Sequence, residues 1–236
     1  MPESVPLHIA FLLFPGVTQL DLTGPAQVLS RLGNAKLDLV ARTRDPVSTD
    51  AQFPLLPTAT FAEVQRTDIL CVPGGFGTVA VMEDAETLAW VREVAGTAQW
   101  VTSVCTGSLV LAAAGLLTGY RAACHWASRH QLAWFGAEPM AERVVFDRNR
   151  VTGGGVTAGI DFALALTARI CGEAHARFVQ LSLEYDPAPP FDSGAPEHAD
   201  AETLARYRAM IDKFAPGREE KVRAIAAHLA ETGPRG

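Results

Sequence analysis

The chain lacks the marks of several large functional classes. It has four cysteines, at 71, 105, 124 and 171, with no Cys-x-x-Cys spacing, so neither a zinc site nor a disulfide framework is indicated. No cluster of lysine and arginine interrupts a sequence of net charge −6. That argues against a nucleic-acid partner, which calls for a basic face. No apolar run reaches the ~18 residues of a membrane span. The opening MPESVPLHIAFLLFPG is apolar in part but has no basic segment and no small-residue cleavage site. It reads as a first strand, not as a secretory leader. There are no internal repeats and no low-complexity tract. These absences predict a cytoplasmic protein with reduced thiols and no membrane or nucleic-acid partner.

What is present suffices for a large core: 236 residues, 48% of them apolar. Leu7 to Phe14 (LHIAFLLF) and Asp68 to Val72 (DILCV) are almost continuously apolar, as strands covered on both faces are. Lys36 to Ala41 alternates and reads as a further strand. Between the first two of these in the chain, a helix is predicted with Pro25 in its first turn and Asp21 just before it. Further helices are predicted over Glu83 to Ala95, His125 to Phe135, Ala158 to Cys171 and Ala174 to Tyr185, and a hairpin around Asp147-Arg148-Asn149. Strands alternating with helices predict one parallel α/β sheet with helices on both faces. Residues 1–190 form that domain. The Pro-rich segment DPAPPFDSGAP leads to an extension, 191–236, that is mainly helical, amphipathic and broken at Pro216-Gly217. It is expected to pack on the domain or on a second subunit.

The organising stretch is Trp100 to Gly119, WVTSVCTGSLVLAAAGLLTG. A buried strand passes through Cys105-Thr106-Gly107 into a helix read from Ser108 to Leu117. A sharp strand-to-helix turn of this kind is a nucleophile elbow, here carrying sulfur. Gly107 lets the neighbouring backbone come close. The helix N-terminus favours a thiolate. The competing reading is a small buried cysteine in a connection. Asp21, Gly74-Gly75 and Cys105 all fall at carboxyl ends of strands, where open α/β sheets bind ligands. Asp21 taken by itself reads first as a helix cap. Gly153-Gly154-Gly155 lacks the lysine and spacing of a phosphate loop and reads as a close backbone approach beside the site. Cys71, Cys124 and Cys171 read as buried, and His125 beside Trp126 as a packed residue.

FLLFPGVTQLDLTGP, DILCVPGG, VTSVCTGSLVLAAAGLL and TGGGVTAGIDFAL together resemble the DJ-1/PfpI superfamily, over about residues 7 to 190, and within it most closely the isocyanide hydratases. The resemblance implies a flavodoxin-like fold, a homodimer and no cofactor or metal. It implies Cys105 as nucleophile, Asp21 as its acid/base partner and Thr106 as a catalytic neighbour. Gly75, Gly74, Gly154 and Val156 become substrate- or oxyanion-binding positions. Most superfamily members carry Glu where this chain has Asp21, and the peptidases carry His where it has Thr106; both departures favour the hydratases. DNA-binding regulators of the superfamily add a helix-turn-helix domain for which 191–236 is too short.

The implied reaction adds water to R–N≡C to give a formamide through a Cys105 thioimidate. Two other readings stand beside it: a non-catalytic redox sensor whose cysteine is oxidised, and a glyoxalase acting on 2-oxoaldehydes.

Overall fold

The computed structural model describes residues 6–232. Seven strands form the main sheet: β1 (Leu7–Leu12), β2 (Ala35–Ala41), β3 (Ala59–Thr60), β4 (Ile69–Val72), β5 (Trp100–Val104), β6 (Val144–Asp147) and β7 (Arg150–Gly153). Their order is β6-β7-β5-β4-β1-β2-β3, parallel throughout except for the β6–β7 hairpin. Every residue of β4 is buried, and Ile9, Phe11 and Leu12 of β1 are among the largest fully buried side chains. This is why those two segments read as unbroken apolar runs. From β1 the chain crosses to β2 on one side, while β4 pairs on the other. The carboxyl ends of β1 and β4 therefore flank the point where the strand order reverses, which is where such sheets hold ligands.

The helices are α1 (Gln19–Leu29), α2 (Thr78–Glu83), α3 (Ala85–Ala95), α4 (Gly107–Ala113), α5 (Ala158–Cys171), α6 (Glu173–Ser182), α7 (Ala201–Phe214) and α8 (Arg218–Thr232). Helix α1 packs on α5 through reciprocal small residues. A Cβ on Gly24 would stand 3.2 Å from Ile160 Cγ1, and one on Gly159 3.0 Å from Pro25 Cδ.

Several boundaries depart from the sequence reading. Helix α1 starts earlier, so Asp21 lies in its first turn and Pro25 in its second, without a donor for the Asp21 carbonyl. The early start is held by Asp50, which accepts from Thr18 Oγ1 at 2.7 Å and from the Gln19 N–H at 3.4 Å. The helix expected from Glu83 begins at Thr78 and breaks at Asp84, whose carboxylate caps α3 through the Glu86 N–H. His125 to Phe135 is helical only from Arg129, as a 3₁₀ segment closed by Gly136 at φ 74°. Helix α4 ends at Ala113, followed by Gly115 at φ 77°. Cys71 and Cys124 are buried, but Cys171, at the end of α5, is exposed.

The C-terminal helices lie against the strand ends. Helix α8 buries Val222 and Ala226. Helix α7 has no buried residue and touches the rest of the chain through ring contacts: Tyr207 with His125 and Trp126, and Phe214 with Phe76. Among the described residues no helix is long and apolar enough to cross a membrane.

Candidate active site

Cys105 stands between β5 and α4 with φ 58°, a left-handed conformation that a non-glycine residue adopts only when its surroundings hold it there. Two contacts do so. The Cys105 N–H donates to the Gly154 carbonyl at 2.7 Å and to that of Gly153 at 3.2 Å. Two residues on, Gly107 lets α4 descend onto β4: a Cβ there would stand 2.1 Å from the Val72 carbonyl oxygen.

Asp21 reaches the same place from α1. Its Oδ2 accepts the Gly74 N–H at 2.8 Å. Its Oδ1 is buried with no conventional hydrogen-bond partner, and the Cys105 thiol is the side chain that interacts with this carboxyl. The carboxylate makes no capping bond to its own helix, so the cap reading of Asp21 fails. Burial, partly offset by the Gly74 N–H and the Cys105 thiol, raises its pKa from 3.8 to about 7.

Thr106 completes the cluster. Its Oγ1 accepts the Gly75 N–H at 3.0 Å and makes no cap for α4. Gly75 has φ 137°, and a Cβ on it would stand 2.3 Å from the Gly16 carbonyl oxygen, so only glycine can present that N–H.

The electrostatics differ from the sequence expectation for the sulfur. A helix N-terminus favours a thiolate, but burial comes first here, followed by the charges of Asp21 and Cys124. These outweigh the Thr106 N–H and push the Cys105 thiol well above its ordinary range. At rest the sulfur is therefore a neutral thiol beside a carboxyl group poised near neutrality. His125, half-buried and near the Arg218 charge, is pushed down to about 4, chiefly by desolvation, and is neutral at physiological pH.

The cluster opens into a cavity of about 620 Å³, lined by Gly75, Cys105, Thr106, His125 and Val156 among others. Gly74 and Gly154 do not line it. The Gly74 N–H is committed to Asp21, and Gly154 gives its carbonyl to Cys105 and its N–H to the Arg143 carbonyl at 2.9 Å. Both glycines shape the site from behind, and neither offers a group to substrate. The far wall comes from the C-terminal helices, with Tyr207, Met210, Ile211 and Arg218. Sequence reasoning missed these as site residues. Tyr207 and Ile211 were visible only as part of an amphipathic stripe. Among the described residues no group of three or more His, Cys, Asp or Glu side chains is arranged to hold a metal ion.

Comparison with known proteins places the fold in a family. The chain is 53% identical over 223 residues to the isonitrile hydratase of Pseudomonas putida, covering 94% of this chain and 98% of that protein. The crystal structure of a ThiJ/PfpI family protein from Pseudomonas syringae superposes with a TM-score of 0.89 at 44% identity, covering 95% of this chain and 92% of that one. A DJ-1 superfamily protein of Salmonella typhimurium matches at 26% identity and a TM-score of 0.69, covering 77% of this chain and all of that one. The model of the DJ-1/PfpI family matches residues 7–169, and the chain belongs to that family.

Proposed function

We propose that this protein is an isocyanide hydratase, a hydro-lyase that converts R–N≡C and water into R–NH–CHO. The observation that carries the reading is its identity to the Pseudomonas putida isonitrile hydratase along nearly the whole of both chains. The pairing of Cys105 with Asp21 supports a mechanism in which the two groups exchange one proton.

The Asp21 carboxylate takes the thiol proton as Sγ bonds to the terminal isocyanide carbon. It then returns that proton to the same carbon, leaving the thioimidate R–N=CH–S–Cys105. Water next adds to the thioimidate carbon. Asp21 takes a proton from the water and passes it to nitrogen, giving R–NH–CH(OH)–S–Cys105. Collapse of this adduct breaks the C–S bond, and the hydroxyl proton returns through Asp21 to sulfur as the formamide leaves. Asp21 acts in turn as base and acid, a role suited to a carboxyl group whose pKa lies near 7. The Thr106 hydroxyl, held by the Gly75 N–H and lining the cavity with Cys105, is the group assigned to orient the attacking water. No step calls on a metal or an organic cofactor.

The decisive experiment incubates the protein with cyclohexyl isocyanide and measures N-cyclohexylformamide, with methylglyoxal as a parallel substrate. Formamide production that disappears in Cys105→Ala supports the reading. Lactate from methylglyoxal without any formamide would make the protein a glyoxalase. A redox sensor would give neither product and would instead show Cys105 oxidised to the sulfinic acid.

The protein acts as a homodimer of cytoplasmic subunits in this reading. Phe178 and Leu181 on α6 are exposed on one helical face, as a surface covered in an assembly is. The catalytic domain ends near residue 190, and the extension closes over the cavity of the same subunit.

A further inference from the structure

Arg218 is the first residue of α8 and lines the cavity into which Cys105 opens. The ionisable groups facing it are the Cys105 and Cys124 thiols and the Tyr207 phenol, all of them raised and so protonated at neutral pH, which leaves its charge without a resident counter-ion. Arg218 stands at a helix N-terminus, where the dipole opposes positive charge. It is half-buried, and burial pulls its pKa below the ordinary guanidinium value. Among the described residues no carboxylate lies within ion-pairing distance of it. The guanidinium donates to Thr78 Oγ1, at 2.7 Å from Nη2. Thr78 is fully buried and in turn donates to the Gly75 carbonyl at 2.9 Å. The guanidinium is thus anchored along one edge, while a planar fork of donors remains for the cavity.

The carboxylates nearest the cavity mouth do not neutralise it. Asp50 is taken up by Thr18 and the N-terminus of α1, and Glu219 faces His130 at 3.7 Å and Arg223 at 3.5 Å. Asp212 and Glu220 complete the acidic rim. A partly buried guanidinium without a counter-charge is costly, so a cavity that keeps one suits a ligand that brings a pair of anionic acceptors.

We infer that Arg218 is a specificity-determining residue that binds a carboxylate carried on the substituent of the isocyanide, so that the preferred substrates are isocyanides of amino-acid-like form. This rests on the hydratase reading. A carboxylate matches the guanidinium edge with two parallel N–H···O bonds, whereas an ester or an alkyl group leaves the charge unpaired. Tyr207, Met210 and Ile211 supply the apolar wall along which the substituent lies.

The test compares an isocyano carboxylate with its methyl ester in wild type, Arg218→Met and Arg218→Lys. The measured quantity is the ratio of kcat/KM values, in which any general loss of rate cancels. Wild type should favour the carboxylate by about 10- to 100-fold, the range of a charge-assisted hydrogen bond. The ratio should fall to about one in Arg218→Met and lie between in Arg218→Lys, which keeps the charge but loses the fork. A wild-type ratio near one, or an unchanged ratio in Arg218→Met, overturns the inference.

A binding arm separates this from the hydratase reading. The N-formyl amino acid, which is the expected product, is titrated into wild type by calorimetry beside its methyl ester. Binding of the acid alone, lost in Arg218→Met, supports the Arg218 subsite even if no isocyanide is turned over. Equal binding of acid and ester removes it even if neutral isocyanides are hydrated.

Discussion

Asp21 and Gly74 are tied by a 2.8 Å hydrogen bond that joins the first turn of α1 to the end of β4 across the switch point of the sheet. The bond occupies one carboxylate oxygen and leaves the other buried without a conventional partner, in a carboxyl group that interacts with the Cys105 thiol. This arrangement has a thermodynamic signature. An aspartate whose pKa is raised from 3.8 to about 7 holds its proton more tightly when folded than when unfolded. Its stability contribution is therefore complete below pH ~4 and is lost as pH rises through 7, a loss of about 4 kcal/mol. Asp21→Asn keeps the size and cannot ionise. The variant should be more stable than wild type at pH 8, by a few kcal/mol, with the difference vanishing near pH 4. Urea titrations at both pH values measure this, and equal pH dependence of the two proteins would show that Asp21 is not perturbed.

The same carboxyl sets the pH dependence of turnover. Attack by the thiol requires Asp21 in its ionised form, so kcat/KM should rise with pH and level off above about 7. In Asp21→Asn, turnover should fall by ~10²-fold or more and the inflection should disappear. A profile that keeps its inflection in the variant would assign it to another group.

The parts of this architecture that were legible in the sequence are those set by local pattern. β1 and β4 read as strands because burial on both faces removes polar residues from them. Helix α5 has the bounds its periodicity predicts, and Arg148 at φ 54° makes the turn between β6 and β7. The cysteine turn was readable because Gly107 sits where only glycine fits. What escaped was fixed by residues distant in the chain. The start of α1 is capped by Asp50, some thirty residues on, so Asp21 looked like a residue before the helix instead of one in its first turn. Gly74 and Gly154 looked like ligand-facing glycines because sequence does not say which backbone groups the protein itself uses. The stripe on α7 showed that a surface would be covered, and only the fold shows that it faces Cys105.

Gly74 has no freedom to change. A Cβ there would stand 2.6 Å from Thr106 N, 2.7 Å from Thr106 Oγ1 and 2.8 Å from Asp21 Oδ2. Gly74→Ala forces Asp21 and Thr106 apart, and a displacement near 1 Å costs ~10²-fold in turnover. Overpacking should also lower stability by about 1–3 kcal/mol. Formamide assays and thermal melts of the variant test both effects. Wild-type turnover would mean that the spacing of these groups is unimportant.

Cysteine alkylation distinguishes the electrostatics of the Cys105 thiol from simple accessibility. Cys171 is exposed and should react with iodoacetamide whether or not an isocyanide is present. Cys71 and Cys124, buried and pushed up to about 12, should stay unlabelled in the folded protein. Cys105 should react slowly, and an isocyanide should protect it. The informative variant is again Asp21→Asn. At pH 8 the Asp21 carboxylate is ionised, and its charge adds to burial, the larger cause, in holding the neighbouring thiol in the protonated form. Removing that charge lowers the thiol pKa, so Cys105 should be alkylated faster in Asp21→Asn than in wild type, even though hydration is lost. Peptide mapping by mass spectrometry at timed intervals measures both sites, with Cys171 as the internal reference. Faster labelling beside lost turnover shows that Asp21 serves as proton carrier and not as activator of a resting thiolate. Slower labelling in the variant would assign it the opposite role.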